Sequence, residues 1–576
     1  MTFNPTTEQT EALRLFETGA SLKIEAGAGT GKTSTLRLLA ESTDRRGQYL
    51  AFNKAIVVEA GEKMPANVRC NTAHSLAFRA FGRRYAHRLN SGRMRSTEIA
   101  ARLGLDPLAL DVAGERKVLS AERLAGIAMR SASRFCQTAD EEPSRRHVPY
   151  IDGIDVPPVR GGQRVYDNNR LVAAYVEDAV REIWRDSLNP RGQLPYSHDR
   201  YLKAWQLNDP RIDADFVLFD EAQDANPVMV AIVAAQAGRA QIVWVGDSQQ
   251  QIYSFTGAVN ALATMPADGR TLLTQSFRFG PEVATVANAI LDVLDADLRL
   301  VGTETIPSVV APVAEPDAIL TRTNAEAVRR VLGAISQGLR PHLVGGGGEI
   351  LSFAKAADRL QRGQRTDHPD LACFDSWSEV LRYVEEDEQG SDLRLLVRLI
   401  DEFGVAVILD ALDRMPGEAD ADLVVSTAHK SKGREWASVA LGGDFPTAPE
   451  GEELRLLYVA VTRARRELDV SGCGWLVDLL SGSSPEPEGR VVGVATAPIA
   501  EGQTVVLAGG DAIPVPDAPP VSKVAPFTVY IGDHDPIEVA VEEDAVWLAR
   551  SAWQTRPTLR CTVLDATGDL VAEFDR

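Results

Sequence analysis

Ser21-Leu-Lys-Ile-Glu-Ala-Gly-Ala-Gly-Thr-Gly-Lys-Thr-Ser34 passes from an apolar stretch, through three glycines, into a helix-forming segment. Ser21–Ala26 predicts a short buried strand, and Lys32–Glu41, with Leu36, Leu38 and Leu39, predicts a helix. Between them Gly27, Gly29 and Gly31 let the backbone curl so that successive N–H groups face an anion at the helix N-terminus. Lys32 would reach the β- and γ-phosphates of a nucleotide, and the Thr33 hydroxyl would bind Mg²⁺. The candidate cradle is therefore Ala26, Gly27, Ala28, Gly29, Thr30, Gly31, Lys32, Thr33 and Ser34, with ATP and Mg²⁺ as expected ligands.

Further along, Phe216-Val-Leu-Phe219 reads as an apolar strand ending in Asp220-Glu-Ala-Gln-Asp224. Asp220 is placed to hold Mg²⁺, and Glu221 to act as general base on the attacking water. A third apolar strand, Ile242–Val245, runs into Gly246-Asp-Ser-Gln-Gln-Gln-Ile-Tyr253, where Gln250 could bond the γ-phosphate or its water. Tyr253 and Phe255 could stack on bases; core packing is the alternative for each. A triphosphate held between two domains needs cations from the far side, and Arg278 (after Phe277, an adenine-stacking candidate) and Arg463 (after an apolar Leu456–Thr462 run entering a helix) are the candidates.

At 576 residues the chain exceeds one core, and about three to five compact units are expected. No apolar run approaches the ~20 residues that span a bilayer, and no signal-peptide core opens the sequence. Five scattered cysteines lack CxxC spacing, which argues against zinc or an iron–sulfur cluster. A cytoplasmic protein without membrane partners, nucleoid-associated if bacterial, is expected. The net charge of −20 does not exclude nucleic acid, because binding follows local charge. Arg79–Arg95 and Arg145–His147 could supply it, solvated helix faces being the alternative.

With Thr427-Ala-His-Lys-Ser-Lys-Gly-Arg-Glu-Trp436 and Tyr458-Val-Ala-Val-Thr-Arg-Ala464 added, the chain resembles the UvrD/Rep/PcrA group of superfamily-one DNA helicases over residues 3–475. The resemblance implies an ATP-driven motor on single-stranded and tailed duplex DNA, with 3′→5′ polarity. It puts Gln9 on the adenine, Glu435 on the ribose, and Lys32, Thr33, Asp220, Glu221, Gln250, Arg278 and Arg463 on ATPase positions. DNA contacts are implied for Phe52, Asn53, Lys54, Thr72 and His74 in the first motor domain, and for Thr427, His429 and Lys432 in the second. Within the group, Leu50–Ala55, Asn71–Leu76, His198–Leu207 and Gly246–Tyr253 resemble the helicase core of the F-box DNA helicases. No F-box is expected ahead of the core, so no ubiquitin-ligase role is implied. Ser34, Thr256, Arg434 and Trp436 depart from the usual residues, which bears on nucleotide affinity and unwinding strength.

The expected fold class is α/β: two RecA-like P-loop domains with parallel sheets, a helical insertion in each, and a small α+β C-terminal module. The first RecA-like domain is expected over 1–80 and 206–277, around a helical insertion at 81–205. The second is expected over 278–350 and 421–482, around a reduced helical insertion at 351–420. A linker at 483–523, with strand-like runs at Arg490–Ala495 and Gln503–Leu507, leads to a module at 524–576. There Phe527–Val541 and Leu559–Phe574 alternate like strands around a helix-like Glu542–Trp553. That module is either a docking site for a protein partner or a packing appendage. No nuclease is expected, since Lys523 is the sole lysine of the C-terminal region 483–576 and no Glu-x-Lys occurs there. Expected function is a single-strand DNA translocase and helicase in repair or recombination control. A protein-displacing anti-recombinase with weak unwinding, or the ATPase subunit of a phage-defence complex, is the alternative.

Overall fold

The computed structural model describes residues 4–51, 54–89, 94–112, 115–151, 154, 167–253, 257–345, 347–366, 368, 371, 376–386 and 391–482. It also describes four strands, Phe527–Ile531, Ile537–Val539, Cys561–Asp565 and Leu570–Phe574. The chain divides into two compact units, one of Met1–Arg95, Ala132–Pro143 and Arg181–Ser484, the other of Ser96–Ser131, Ser144–Val180 and Pro485–Arg576.

The first unit holds two six-stranded sheets, every strand pair in both being parallel. Across the first, the strands run Val68–Thr72, Gly47–Ala51, Phe216–Phe219, Gln241–Gly246, Leu22–Ala26 and Gly269–Leu273. Parallel strands need crossovers, and helices such as Lys32–Glu41 and Ala73–Ala80 fill both faces. That explains the unbroken apolar strands: Phe216 and Leu218 enter one core with Phe16, Ile24 and Leu36, while Val217 and Phe219 enter another with Leu202, Ile232 and Trp244. The second sheet runs Pro341–Leu343, Leu423–Thr427, Ala318–Thr321, Trp436–Leu441, Ala464–Asp469 and Val309–Val310. These are two RecA-like α/β folds.

Helices Gly348–Gln361, Trp377–Glu386, Ser391–Phe403 and Val405–Asp413 lie between strands of the second sheet. They share one core with its strand residues Leu343, Leu423 and Val425.

Several expectations shift in detail. The run Leu456–Thr462 does not enter a helix; it completes helix Glu452–Val461, and Arg463 leads directly into strand Ala464–Asp469. The region expected to be helical between residues 81 and 205 also carries an antiparallel strand pair, Leu108–Val112 with Glu115–Leu119. In the second unit the C-terminal strand runs are each two strands, giving an antiparallel order Ile537–Val539, Phe527–Ile531, Cys561–Asp565, Leu570–Phe574. The segments 490–495, 503–507 and 542–553 lie outside the described residues. Among the described residues no helix is long and apolar enough to cross a membrane.

Candidate nucleotide site and DNA track

Three adjacent strands of the first sheet, Phe216–Phe219, Gln241–Gly246 and Leu22–Ala26, end on the same edge, where ligands of open α/β sheets bind. The glycine loop leaves the last of them with Gly29 at φ +74° and Gly31 at φ +78°. A Cβ on Gly29 would stand 2.6 Å from both Ser276 Oγ and Arg278 Cβ, so the loop can lie this close to the second motor fold only as glycine. Hydrogen bonds to the loop's carbonyls seal the approach: Phe277 N–H donates to that of Gly29 (2.8 Å), and Ser276 Oγ to that of Ala28 (2.9 Å). Thr30 Oγ1 turns back to the Gly27 carbonyl (2.9 Å), and Thr33 and Ser34 lie in the first turn of helix Lys32–Glu41.

Lys32 Nζ pairs with Glu221 Oε1 at 3.0 Å, the two side chains 17% and 19% exposed, so solvent still reaches the pair. Glu221 itself occupies the left-handed region (φ +54°), rare for a residue with a side chain. Burial pushes the Glu221 carboxyl up, but Lys32 and Lys432 together outweigh it and hold it below the carboxylate range. Asp220 is raised instead, by burial and then by the charge of Glu221. Its Oδ2 accepts the Tyr49 hydroxyl at 2.6 Å. For Lys32, burial opposes the charge, while Glu221, Asp220 and Asp247 together lift it above its ordinary value.

From the second motor fold come Arg278 and Arg463. Arg278 donates to Glu435 Oε2 (2.8 Å) and to the Thr462 carbonyl (3.0 Å). Arg463, 1% exposed, donates to the Val459 carbonyl (2.8 Å) and reaches Gln250 Oε1 at 3.5 Å. Burial, then the like charge of Arg278, pushes Arg463 down to about 9. On the loop's other side Gln9, bonded to Thr6 N–H and Thr35 Oγ1, and the half-exposed Phe277 flank Gly31. The candidate phosphate, adenine and ribose groups thus converge on one seam. Two guanidiniums and an ammonium around a glycine cradle fit a polyphosphate, and the Thr33 hydroxyl and Asp220 carboxylate are the hard oxygen donors that suit Mg²⁺.

The DNA candidates separate more. Lys54 is exposed at the start of helix Lys54–Lys63. Thr72 caps helix Ala73–Ala80 through the Ser75 N–H (3.1 Å), and His74 Nε2 meets Asp199 Oδ1 at 2.9 Å. Thr427 is buried, its hydroxyl accepting the Lys430 N–H. Tyr253 donates to the His429 carbonyl (3.1 Å), with Lys432 Nζ 5.4 Å from its ring centroid. Lys432 turns toward the nucleotide side, bonding Asp224 and the Gln250 carbonyl. Phe52, Asn53 and Phe255 lie outside the described residues. Tyr49, Gln223, Asp247 and Tyr458 were not singled out from the sequence; each makes a hydrogen bond to a partner distant in the chain.

Residues 9–256 match the AAA domain family, and 422–470 the UvrD-like helicase C-terminal domain. The chain is 31% identical over 503 residues to F-box DNA helicase 1 of Gallus gallus, covering 79% of this chain and 48% of that protein. It is 30% identical over 504 residues to F-box DNA helicase protein 1 of Schizosaccharomyces pombe (78% and 55%), and 23% identical over 514 residues to DNA helicase IV of Escherichia coli (78% and 65%). It spans about half the length of the two F-box helicases. The two family matches cover strands of both parallel sheets whose ends form the seam, and across them the chain is UvrD/Rep-like.

Proposed function

We propose that the chain is an ATP-dependent DNA helicase that tracks 3′→5′ along single strands and opens tailed duplexes, in DNA repair or recombination control. The observation that carries this reading is the placement of Arg278 and Arg463, one on each side of Thr462, opposite the Lys32–Glu221 pair. Such cations supply what a charged phosphoryl-transfer transition state demands from the far wall of a cleft.

In this reading Gln9 and Phe277 hold the base, Glu435 the ribose, and the loop from Ala26 to Ser34 the phosphates. Thr33 and Asp220 would hold Mg²⁺, which when bound neutralises charge on the phosphate oxygens. Glu221, kept ionised by Lys32 and Lys432, is ready to take a proton from water. Gln250, between Asp247 and Arg463, links the water's position to the arginines of the second fold. Lys54, Thr72, His74, Tyr253, Thr427 and His429 form the track, and closing the seam shifts one half of it against the other. The C-terminal sheet is assigned to docking a protein partner.

Hydrolysis and strand displacement measured together on 3′-tailed, 5′-tailed and blunt duplexes test this, with Lys32→Ala as control. DNA-stimulated hydrolysis lost in Lys32→Ala, with opening of the 3′-tailed duplex alone, is the expected outcome. Hydrolysis unaffected by Lys32→Ala refutes the site, and opening of the 5′-tailed duplex alone refutes the polarity.

A further inference from the structure

Tyr458 belongs to the second motor fold, yet its hydroxyl sits among groups of the first. It lies fully buried near the end of helix Glu452–Val461. The Ala28 N–H of the glycine loop donates to its oxygen at 3.2 Å, and its own O–H donates to Asp247 Oδ2 at 3.1 Å. Burial, then the charge of Asp247, raises the phenol well above its ordinary range, so it remains a neutral donor.

Asp247 is 0% exposed and acts as a junction. Its carboxylate also accepts from Gln250 Nε2 (2.7 Å) and from the Gln249 N–H (3.0 Å). Its backbone N–H donates to Gln223 Oε1 at 3.1 Å. The other end of that amide, Nε2, donates to Glu221 Oε2 at 2.5 Å. Gln223 is 0% exposed and packs directly on the backbone of Gly246, where an added methyl group would lie 2.1 Å from its Oε1. The two oxygens of Glu221 are therefore divided, one to Lys32 and one to Gln223.

We infer that Tyr458, Asp247 and Gln223 form a hydrogen-bond relay through which the second motor fold aims the carboxylate of Glu221, making Tyr458 and Gln223 positioning residues for hydrolysis. The inference rests on the proposed ATPase reading and assigns a task to residues that reading leaves idle. Each member is buried and bonded at both ends, so a shift of helix Glu452–Val461 cannot be absorbed by solvent and passes to Glu221. The glycine loop is tied to the same hydroxyl, so the relay registers the loop and the second fold together.

Tyr458→Phe keeps the ring and removes only the hydroxyl, which makes it the decisive variant. Steady-state ATP hydrolysis of the full chain on single-stranded DNA should show kcat reduced by roughly tenfold, a modest part of what a general base supplies. Equilibrium binding of a fluorescent ATP analogue should change by less than about twofold. Gln223→Leu should lower kcat by at least as much, and the double variant should be no slower than Gln223→Leu alone, since both cut one chain. Unchanged kcat in a folded Tyr458→Phe chain overturns the relay, as does a loss of analogue binding that matches the loss of rate. Multiplying losses in the double variant overturn it too. Lys32→Ala in the same assay separates the two levels: a wild-type chain that hydrolyses ATP only through Lys32, with Tyr458→Phe unaffected, refutes the relay and leaves the ATPase reading standing. A wild-type chain without hydrolysis refutes both.

Discussion

His429 shows how the seam sets the chemistry of a single ring. It follows strand Leu423–Thr427, with its ring 6.4 Å from that of Tyr253. Burial, then the charge of Arg322, lowers its pKa to about 4, with Glu453 opposing. In the unfolded chain the imidazole titrates near 6.5, so between that value and about 4 the unfolded state binds protons that the folded state refuses. The stability carried by neutral His429 is complete above about pH 6.5 and is lost as pH falls toward 4. Denaturant unfolding from about pH 7 to about pH 5 should therefore cost the wild type more stability than His429→Gln, and equal losses would contradict the burial argument. Residue types at this scale were readable as capacities rather than partners. Lys32, Asp220 and Glu221 could be assigned because one local loop or strand end dictates each. Asp247 and Tyr458 could not, since they meet across 211 positions of sequence. Nothing local distinguishes a buried phenol that spans two folds from one that merely fills a core.

Helix Ala73–Ala80 gives the same lesson for an element. Its N-cap is Thr72, which in sequence reads as a DNA contact and in the structure spends its hydroxyl on the Ser75 N–H. Thr72→Ala should cost about 1 kcal/mol of stability, visible as a lower urea midpoint without DNA. An unchanged midpoint would contradict the capping role. Elements with one dominant signal were legible: Lys32–Glu41 and Phe216–Phe219 lie where periodicity and apolar continuity put them. The strand pair Leu108–Val112 and Glu115–Leu119 was missed although Leu110 and Val112 are buried on either side of an exposed Asp111, a period of two hidden among long helical patterns. Leu456–Thr462 was misplaced for a related reason, since an apolar run carries no marker of which end of a helix it occupies.

At the scale of the molecule, a net charge of −20 coexists with a seam whose cations Arg463 and Lys432 are almost wholly enclosed. DNA affinity should still fall with salt, because the phosphate contacts of the track and not the total charge set the number of counterions released. Titrating a labelled oligonucleotide at several salt concentrations checks this, and a flat response would count against a phosphate-gripping track. The order of strands has another consequence. Among the described residues Leu22–Ala26 pairs only with Gln241–Gly246 and Gly269–Leu273, while Gly47–Ala51 lies between Val68–Thr72 and Phe216–Phe219. A ribosome has therefore made Leu22–Ala26 long before either strand that pairs with it, and the pair Gly47–Ala51 and Val68–Thr72 long before Phe216–Phe219 can extend it. At typical synthesis rates the interval is on the order of ten seconds. Polypeptides ending at residue 205 should be cleaved readily by a protease that spares those ending at residue 280. During every round of translation the nascent chain presents unpaired strand edges, which makes the long insertion a period of dependence on chaperones.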